Sequence, residues 1–150
     1  MKSNFSEQMR SLNKSYKETD EIYHDYAKQC GLPDTAFWVL YSLWDQEQTY
    51  TQREFCLEWF YNPQTINSAL KGLEKQGFIE LPLMPGNRKN KQICFTEKGK
   101  ELAERVIVPL MKAEQDSFSH LNKAEREILL SVTQKRIRLL KEEISKIEIN

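Results

Sequence analysis

One short segment carries polar side chains at a spacing suited to hydrogen-bonded recognition. Residues 62–77 read NPQTINSALKGLEKQG, in which the apolar side chains share one side of a helix at about 100° per residue: Ile66, Ala69, Leu70 and Leu73. The opposite side and its flanks carry amides and hydroxyls: Gln64, Thr65, Asn67 and Ser68. Amides form paired hydrogen bonds with adenine edges, and hydroxyls bond more permissively. The pattern therefore predicts four side chains that read base edges.

Cations extend this polar face to positions that suit phosphates. Lys71 and Lys75 follow on the same side of the helix, and Arg53 lies in the short segment before it. Lysine and arginine commonly bind phosphate oxygens and so fix the register of a protein on a duplex. The alternative is that this whole face is solvent-exposed and has no binding role, as on other amphipathic surface helices.

Capping residues place two helices in close succession here. Thr51-Gln-Arg-Glu54 is a capping box, so a short helix begins there and buries two aromatic side chains: Phe55 with Trp59 or Phe60. Asn62 is a favourable N-cap and Pro63 a favourable first-turn residue for the next helix. Two short helices joined by a tight turn predict a helix-turn-helix.

A basic hairpin is predicted after the second of these helices. FIELPLM and KQICFT read as short strands with Pro85-Gly86-Asn87 between them, so we expect a loop of several residues. Pro82 restricts the first strand to a sheet edge. No acid occurs in residues 81–96, whereas three cations lie at the expected tip: Arg88, Lys89 and Lys91. The order predicts a winged helix whose wing binds phosphates or a minor groove, with a solubilising hairpin as the alternative.

A long amphipathic helix is predicted at the start of the chain. Apolar residues repeat at spacings of three and four between Phe5 and Cys30, and Gly31 and Pro33 end that helix. Asp34 can cap a second helix with an aromatic-rich face: Phe37, Leu40, Tyr41 and Trp44.

Two further helices are predicted at the other end. Thr96 caps a long helix that runs toward Leu121 and is expected to kink at Pro109. The last helix begins near Asn122 and carries an apolar face: Leu129, Val132, Ile137, Leu140, Ile144 and Ile147. The chain is therefore predicted to be mainly α with a small β-hairpin.

Composition narrows the classes of protein. The 150 residues suit one domain, and 22 basic residues balance 22 acidic ones, so any basic site depends on local segregation. No apolar run approaches the roughly 20 residues of a membrane span, and the first ten residues lack the apolar core of a signal peptide. Three scattered cysteines argue against a disulfide framework and for a reducing cytoplasm.

The remaining reactive side chains form no recognisable catalytic or metal-binding set. His24 and His120 are far apart, and neither has a Cys, His or acid cluster beside it. Phosphate loops, nucleophile elbows and triads are missing, so we expect no enzyme activity, metal or cofactor. The cysteines are interpreted as small apolar residues, with a thiol-based redox sensor as the alternative: Cys30, Cys56 and Cys94.

Aromatic residues cluster in the first two helices. One interpretation is an apolar pocket, with phenol hydroxyls that orient a small aromatic ligand: Tyr16, Tyr23, Tyr26, Trp38 and Tyr41. Such a ligand would act by changing the distance between two reading helices. The alternative is that these rings only pack in the core or between subunits.

The chain resembles the MarR family of bacterial transcriptional regulators over nearly its whole length. The most specific segments are TQREFCLEWFYNPQTINSALKGLEKQGFIE and NRKNKQICFTEKGKEL, the second of which is similar to the family's wing and its LTEKG helix start. The resemblance implies a homodimer with a winged helix-turn-helix at about residues 33–96 and dimerisation helices at about 1–32 and 97–150. It also implies repression from a pseudo-palindromic double-stranded operator and frequent control by a small ligand or oxidant.

Two departures from the family pattern bear on mechanism. Family wings commonly carry aspartate where this chain has Asn87, next to the retained Arg88, and family recognition helices often carry arginine where it has Ser68 or Gly72. Direct readout is therefore expected to depend more on amides and Thr65. Net neutrality without that arginine keeps a winged-helix protein-interaction module open as the alternative function.

Overall fold

The computed structural model describes residues 4–45, 50–84 and 86–150, and for residues 84 and 87–89 it describes the backbone alone. Within these residues the chain forms six helices, here α1 to α6: Asn4–Gln29, Asp34–Asp45, Gln52–Trp59, Pro63–Lys75, Glu97–Ser119 and Lys123–Ser145. Four short strands, β1 to β4, accompany them: Tyr50–Thr51, Ile79–Glu80, Leu83–Met84 and Asn87–Phe95. The predicted mainly helical winged fold is confirmed.

The end of α1 follows from glycine geometry. Gly31 adopts a φ of 73°, which L side chains rarely take, and its N–H donates to the Lys28 carbonyl at 3.0 Å. The N–H of Leu32 reaches back to the Ala27 carbonyl at 2.9 Å. The predicted end of α1 is confirmed. Asp34 was expected to be the N-cap of α2, but it is already the first residue of that helix, so α2 begins one residue earlier than predicted.

The core lies between α2, α3, α4 and β4. The largest fully buried side chains converge here from all four elements: Phe37, Leu40, Phe55, Ile66, Leu70, Leu73 and Ile93. Burying each such side chain stabilises the fold by about 1.5–3 kcal/mol. On α2 the predicted Tyr41 and Trp44 are only half-buried, whereas Val39 and Leu43 are buried, because both α1 and α4 pack against this helix.

The sheet is built around β4. β1 pairs antiparallel with one side of β4, and β2 pairs antiparallel with the other side. β3 continues the register of β2, with Leu83 opposite Lys91, and Pro82 accepts a hydrogen bond from the Gln92 N–H at 2.9 Å. The predicted edge position of Pro82 is confirmed.

One strand of the sheet was not predicted, and the predicted start of another was wrong. β1 was not predicted, because a strand of two residues has no measurable periodicity. The second hairpin strand begins at Asn87, four residues before the predicted KQICFT segment, so the basic residues belong to β4 and not to a loop of several residues. Pro85 of the expected loop lies outside the described residues.

The junction between α4 and α5 fixes the orientation of α4. Gly77 has a φ of 81°, and its carbonyl accepts a hydrogen bond from the Thr96 hydroxyl at 2.5 Å. That same hydroxyl oxygen accepts the Gly99 N–H at 3.0 Å, which confirms Thr96 as the cap of α5. A Cβ at Gly99 would lie 1.9 Å from the Phe78 carbonyl oxygen, so only glycine permits this close approach.

The chain divides into two compact units at Val108 and Pro109, and the second contains the end of α5 and all of α6. Asn122 caps α6 as predicted, since its side-chain oxygen accepts the Glu125 N–H at 2.9 Å. α6 buries no side chain of its own, and its predicted apolar face is exposed, including Leu140 and Ile144. Among the described residues, no helix is both long and apolar enough to cross a membrane.

Candidate nucleic-acid interface

The helix α4 divides sharply into a buried and an exposed side. Asn62 caps it, with its side-chain oxygen accepting the Gln64 N–H at 2.8 Å, and Pro63 occupies the first turn. Ile66, Leu70 and Leu73 are buried in the core. Because these side chains hold the helix against α2 and α3, the orientation of the polar side is fixed by packing.

The structure places the predicted base-reading side chains on the outward side of α4. Gln64, Thr65 and Ser68 are exposed, whereas Asn67 is half-buried at the flank. Lys71 and Lys75 are exposed farther along the same side. Glu74 is the single acid of α4, and at about 100° per residue it lies toward the buried side's flank. The exposed centre of the helix therefore carries amide, hydroxyl and ammonium groups only.

Arg53 is held in the first turn of α3. The predicted capping box is present: the Thr51 hydroxyl accepts the Glu54 N–H at 3.1 Å, and the Thr51 N–H donates to the Glu54 carboxylate at 3.2 Å. Arg53 lies between these two residues and is exposed. A cation at this end of α3 is positioned by backbone geometry and remains available to a phosphate.

The wing differs in detail from its prediction. Lys91 is half-buried and lies within β4 opposite Leu83, so its placement at the tip was wrong. The pairing shifts between Leu83 and Met84, which leaves residues 88–90 of β4 as a bulge beside the turn. Arg88 and Lys89 occupy this bulge, and their side chains lie outside the described residues.

Three of the predicted aromatic pocket residues meet through adjoining rings. Tyr23, Trp38 and Tyr41 form a continuous cluster, with ring centroids 5.0 Å apart for Tyr23 and Trp38 and 5.3 Å apart for Trp38 and Tyr41. Trp59, which sequence reasoning did not include, joins it at 5.5 Å from Trp38. Tyr16 lies two helical turns earlier in α1 and is exposed.

Tyr26 connects α1 to α5 and is linked to the ring cluster through Phe37, whose ring centroid lies 5.1 Å from that of Trp38. Its hydroxyl donates to the Val106 carbonyl at 2.5 Å, and its ring meets the buried Phe37 edge-on at 6.0 Å between centroids. Burial raises the pKa of the Tyr26 hydroxyl, so it remains a neutral donor over the physiological pH range. This contact gives Tyr26 a structural role in holding the first helix.

The cysteines occupy half-buried positions without a disulfide among them. Burial raises the pKa of the Cys56 thiol, and burial together with the charge of Glu80 raises that of Cys94. A raised pKa lowers the fraction of reactive thiolate at neutral pH. The structure thus favours the interpretation of these two thiols as small apolar side chains.

The turn after α3 determines which of its two candidate aromatic residues, Trp59 or Phe60, packs against Phe55. Trp59 is half-buried and packs against Phe55, whereas Phe60 is 93% exposed. Phe60 is the C-cap of α3 and adopts the left-handed conformation, with φ 57° and ψ 34°. This conformation costs a residue with a side chain about 1–2 kcal/mol, and sequence patterns gave no sign of it.

These features define a winged helix-turn-helix protein, with α3 and α4 as the two helices and the β3–β4 hairpin as the wing. A model of the MarR family matches residues 31–89. The HTH-type transcriptional regulator SarZ of Staphylococcus epidermidis is 29% identical over 113 residues, which cover 75% of this chain and 73% of SarZ. The chain is therefore similar to the MarR family of transcriptional regulators, both in this segment and across most of the length of SarZ.

Two solved structures show the same fold. NMB1585, a MarR family regulator from Neisseria meningitidis, superposes with a TM-score of 0.78 at 22% identity and covers 93% of this chain and 97% of that one. A MarR family regulator from Listeria monocytogenes, complexed with a 26mer DNA, gives a TM-score of 0.71 at 22% identity and covers 100% and 99%.

Proposed function

We propose that this protein is a cytoplasmic homodimer that binds a pseudo-palindromic double-stranded operator and represses transcription. The observation that carries the proposal is the division of α4. Three core side chains fix one side of the helix, and the opposite side presents exposed amides and hydroxyls followed by two lysines. The Listeria relative of the same fold, which was solved with DNA, supports this assignment.

Each predicted side chain receives a role in this proposal. Base edges are read from the major groove by side chains at the start and middle of α4: Gln64, Thr65, Asn67 and Ser68. Phosphates are bound from α3 and the end of α4: Arg53, Lys71 and Lys75. The basic residues of β4 contact the adjoining backbone or minor groove: Arg88, Lys89 and Lys91.

The proposed dimer interface consists of apolar side chains that are exposed to solvent in the single chain. In α6, Leu140 and Ile144 are 42% and 56% exposed and share one side of the helix, and in α1 Phe5 is 78% exposed. Large apolar side chains exposed on a helix face, as on α6, mark an association site. We assign the dimerisation region to residues of about 1–32 and 97–150 and the winged region to about 33–96. Two-fold symmetry would then set the α4 helices ~34 Å apart, one turn of DNA.

Control by a small aromatic ligand is proposed at the ring cluster of Tyr23, Trp38 and Tyr41. These rings join α1, which belongs to the assigned dimerisation region, to α2 of the winged region. A ligand that inserted among them would change the angle between the two helices. It would thereby favour one spacing of the two reading helices over another.

Selection from a random-sequence duplex library tests the proposal. We expect the wild-type protein to enrich a two-fold-related motif and to bind it at least about 10³ times more tightly than a scrambled duplex. The alternative, a winged-helix protein-interaction module, is compatible with the balance of 22 basic and 22 acidic residues. Recovery of no motif, with equal weak affinity for both duplexes, would support that alternative and contradict DNA-directed regulation.

A further inference from the structure

Phe60 is an exposed aromatic residue in an unfavourable backbone conformation. Its φ of 57° makes it the sole described residue other than glycine with a positive φ. The N–H of Phe60 donates to the Cys56 carbonyl, and that of Tyr61 donates to the same carbonyl at 3.1 Å, so the turn itself is well formed. The left-handed conformation is therefore part of a regularly hydrogen-bonded helix end and not a local irregularity.

No contact among the described residues accounts for a phenylalanine at this place. Glycine adopts the left-handed conformation without steric cost and is the usual residue at such helix ends. The neighbouring aromatic residues already pack together, with Phe55 and Tyr61 stacked at 5.7 Å and Phe55 and Trp59 at 6.3 Å between centroids. Phe60 is 93% exposed, so its ring adds almost no buried surface to the core. Strained residues without internal compensation are concentrated at functional sites.

The position of Phe60 indicates what could cover it. It lies two residues before Asn62, the N-cap of α4, and four residues before Gln64. In a helix-turn-helix on DNA, the N-terminal residues of the second helix contact base edges in the major groove. The turn that leads into that helix consequently lies at its duplex-facing end. The apolar groups that a duplex offers there are thymine methyl groups and deoxyribose carbons, and phenylalanine is suited to contact them.

We propose that Phe60 makes an apolar contact with the duplex beside the first base pairs that α4 reads, and so contributes to operator affinity. The inference rests on the DNA-binding function proposed above. It identifies a residue outside the polar face of α4, on the preceding turn, as part of the recognition surface. The contact carries no charge, which distinguishes it from the contacts assigned to lysine and arginine.

The test compares Phe60→Gly with wild type on the duplex selected by the wild-type protein. Glycine removes the ring and also the backbone strain, so we expect thermal unfolding at the same or a higher temperature. We expect operator affinity to fall roughly 5- to 10-fold, as when one good interaction at a base pair is removed. The slope of log affinity against log salt should stay unchanged, because the protein still neutralises the same number of phosphates. Phe60→Tyr, which keeps the ring, should retain most of the affinity.

Leu57→Ala provides the matched control. Leu57 is another exposed apolar residue of α3, but it lies one turn farther from the start of α4, so its removal should leave affinity within about 2-fold of wild type. A duplex with uracil in place of thymine then separates the two sources of contact. Loss of affinity in wild type but not in Phe60→Gly assigns the contact to a thymine methyl, and equal affinity of wild type for both duplexes assigns it to deoxyribose.

Three outcomes would overturn the inference. If Phe60→Gly bound the duplex as tightly as wild type, Phe60 would not contact DNA, although the proposed function would stand. If the Phe60→Gly substitution dissociated the homodimer in sedimentation experiments, the surface that covers Phe60 would belong to a second copy of the chain and not to DNA. If wild type showed neither a preferred motif nor salt-dependent binding, the proposed function and this inference would both fail.

Discussion

The Nδ1 atom of His24 in α1 lies 2.9 Å from Oδ2 and 3.0 Å from Oδ1 of Asp34, the first residue of α2. The hydrogen bond to Asp34, and then its charge, raise the pKa of His24, with smaller contributions from Glu21 and Asp25. Burial, followed by the charge of Asp34, also raises the pKa of Tyr61 in the turn before α4. Asp34 therefore acts electrostatically on both the first helix and the helix-turn-helix.

This pair predicts a pH-dependent contribution to stability that His24→Gln should remove. Because the folded-state pKa of His24 is raised above 6.5, its contribution is fully present below about pH 6.5 and is lost as pH rises through the folded-state value. Urea unfolding of both proteins at several pH values checks this. The difference in unfolding free energy should shrink from acidic to alkaline pH, and a difference that stays constant or grows would contradict the ion pair.

Gly99 should tolerate no side chain. In Gly99→Ala the new Cβ would meet the Phe78 carbonyl oxygen at 1.9 Å, so α5 must shift away from the end of α4. We expect a loss of about 1–3 kcal/mol in unfolding free energy, measured by chemical denaturation. Gly72→Ala is the matched control, since a Cβ there meets nothing within 4 Å, and it should stabilise α4 by up to about 1 kcal/mol. Equal effects of the two substitutions would refute the close approach at Gly99.

Gln64 should determine sequence preference more than overall affinity. Its side chain is exposed in the first turn of α4, where the proposed contact is a paired hydrogen bond to one base. Gln64→Ala should relax the preference at one symmetric pair of positions by about 1–3 kcal/mol while leaving the salt dependence intact. Repeating the library selection with the variant measures this directly. An unchanged motif would remove Gln64 from the readout.

The open side of α6 should hold the dimer. Leu140→Glu places a charge on the exposed apolar face, and we expect it to shift the protein from dimer to monomer in analytical ultracentrifugation at micromolar concentration. Lys135→Glu is the control, because residue 135 is exposed and lies on roughly the opposite side of the helix at about 100° per residue. A dimeric Leu140→Glu protein would show that association uses another surface.

Features encoded by local interactions could be predicted from the sequence. The capping box at Thr51, the N-cap at Asn62 and the stop at Gly31 each depend on contacts within a few residues, and the structure has all three. Nonlocal features could not be predicted in this way. The partner of β1 is more than forty residues away in β4, and His24 meets Asp34 only because the chain turns between α1 and α2.

The candidate nucleic-acid interface could likewise be predicted from the sequence only where it depends on local periodicity. The outward side of α4 follows from helical periodicity alone, and the exposed positions of Gln64, Thr65 and Ser68 agree with it. Which of Trp59 and Phe60 packs against Phe55 could not be predicted, because it depends on the left-handed conformation of Phe60 and helical periodicity does not specify that conformation. The extent of β4 depended on a bulge, which places Arg88 and Lys89 within a strand beside the turn.

The central claim is that α4 and the basic end of β4 bind one duplex together, and the salt dependence of binding tests it most directly. Affinity for the selected duplex should be measured over a range of salt concentrations for wild type and for Arg88→Ala combined with Lys89→Ala. We predict a steep wild-type slope and a shallower one in the double variant, reduced by about 1 for each phosphate that is no longer neutralised, with weaker binding to all sequences. An equal slope in both proteins would remove the wing from the interface, and a flat wild-type slope would contradict DNA binding itself.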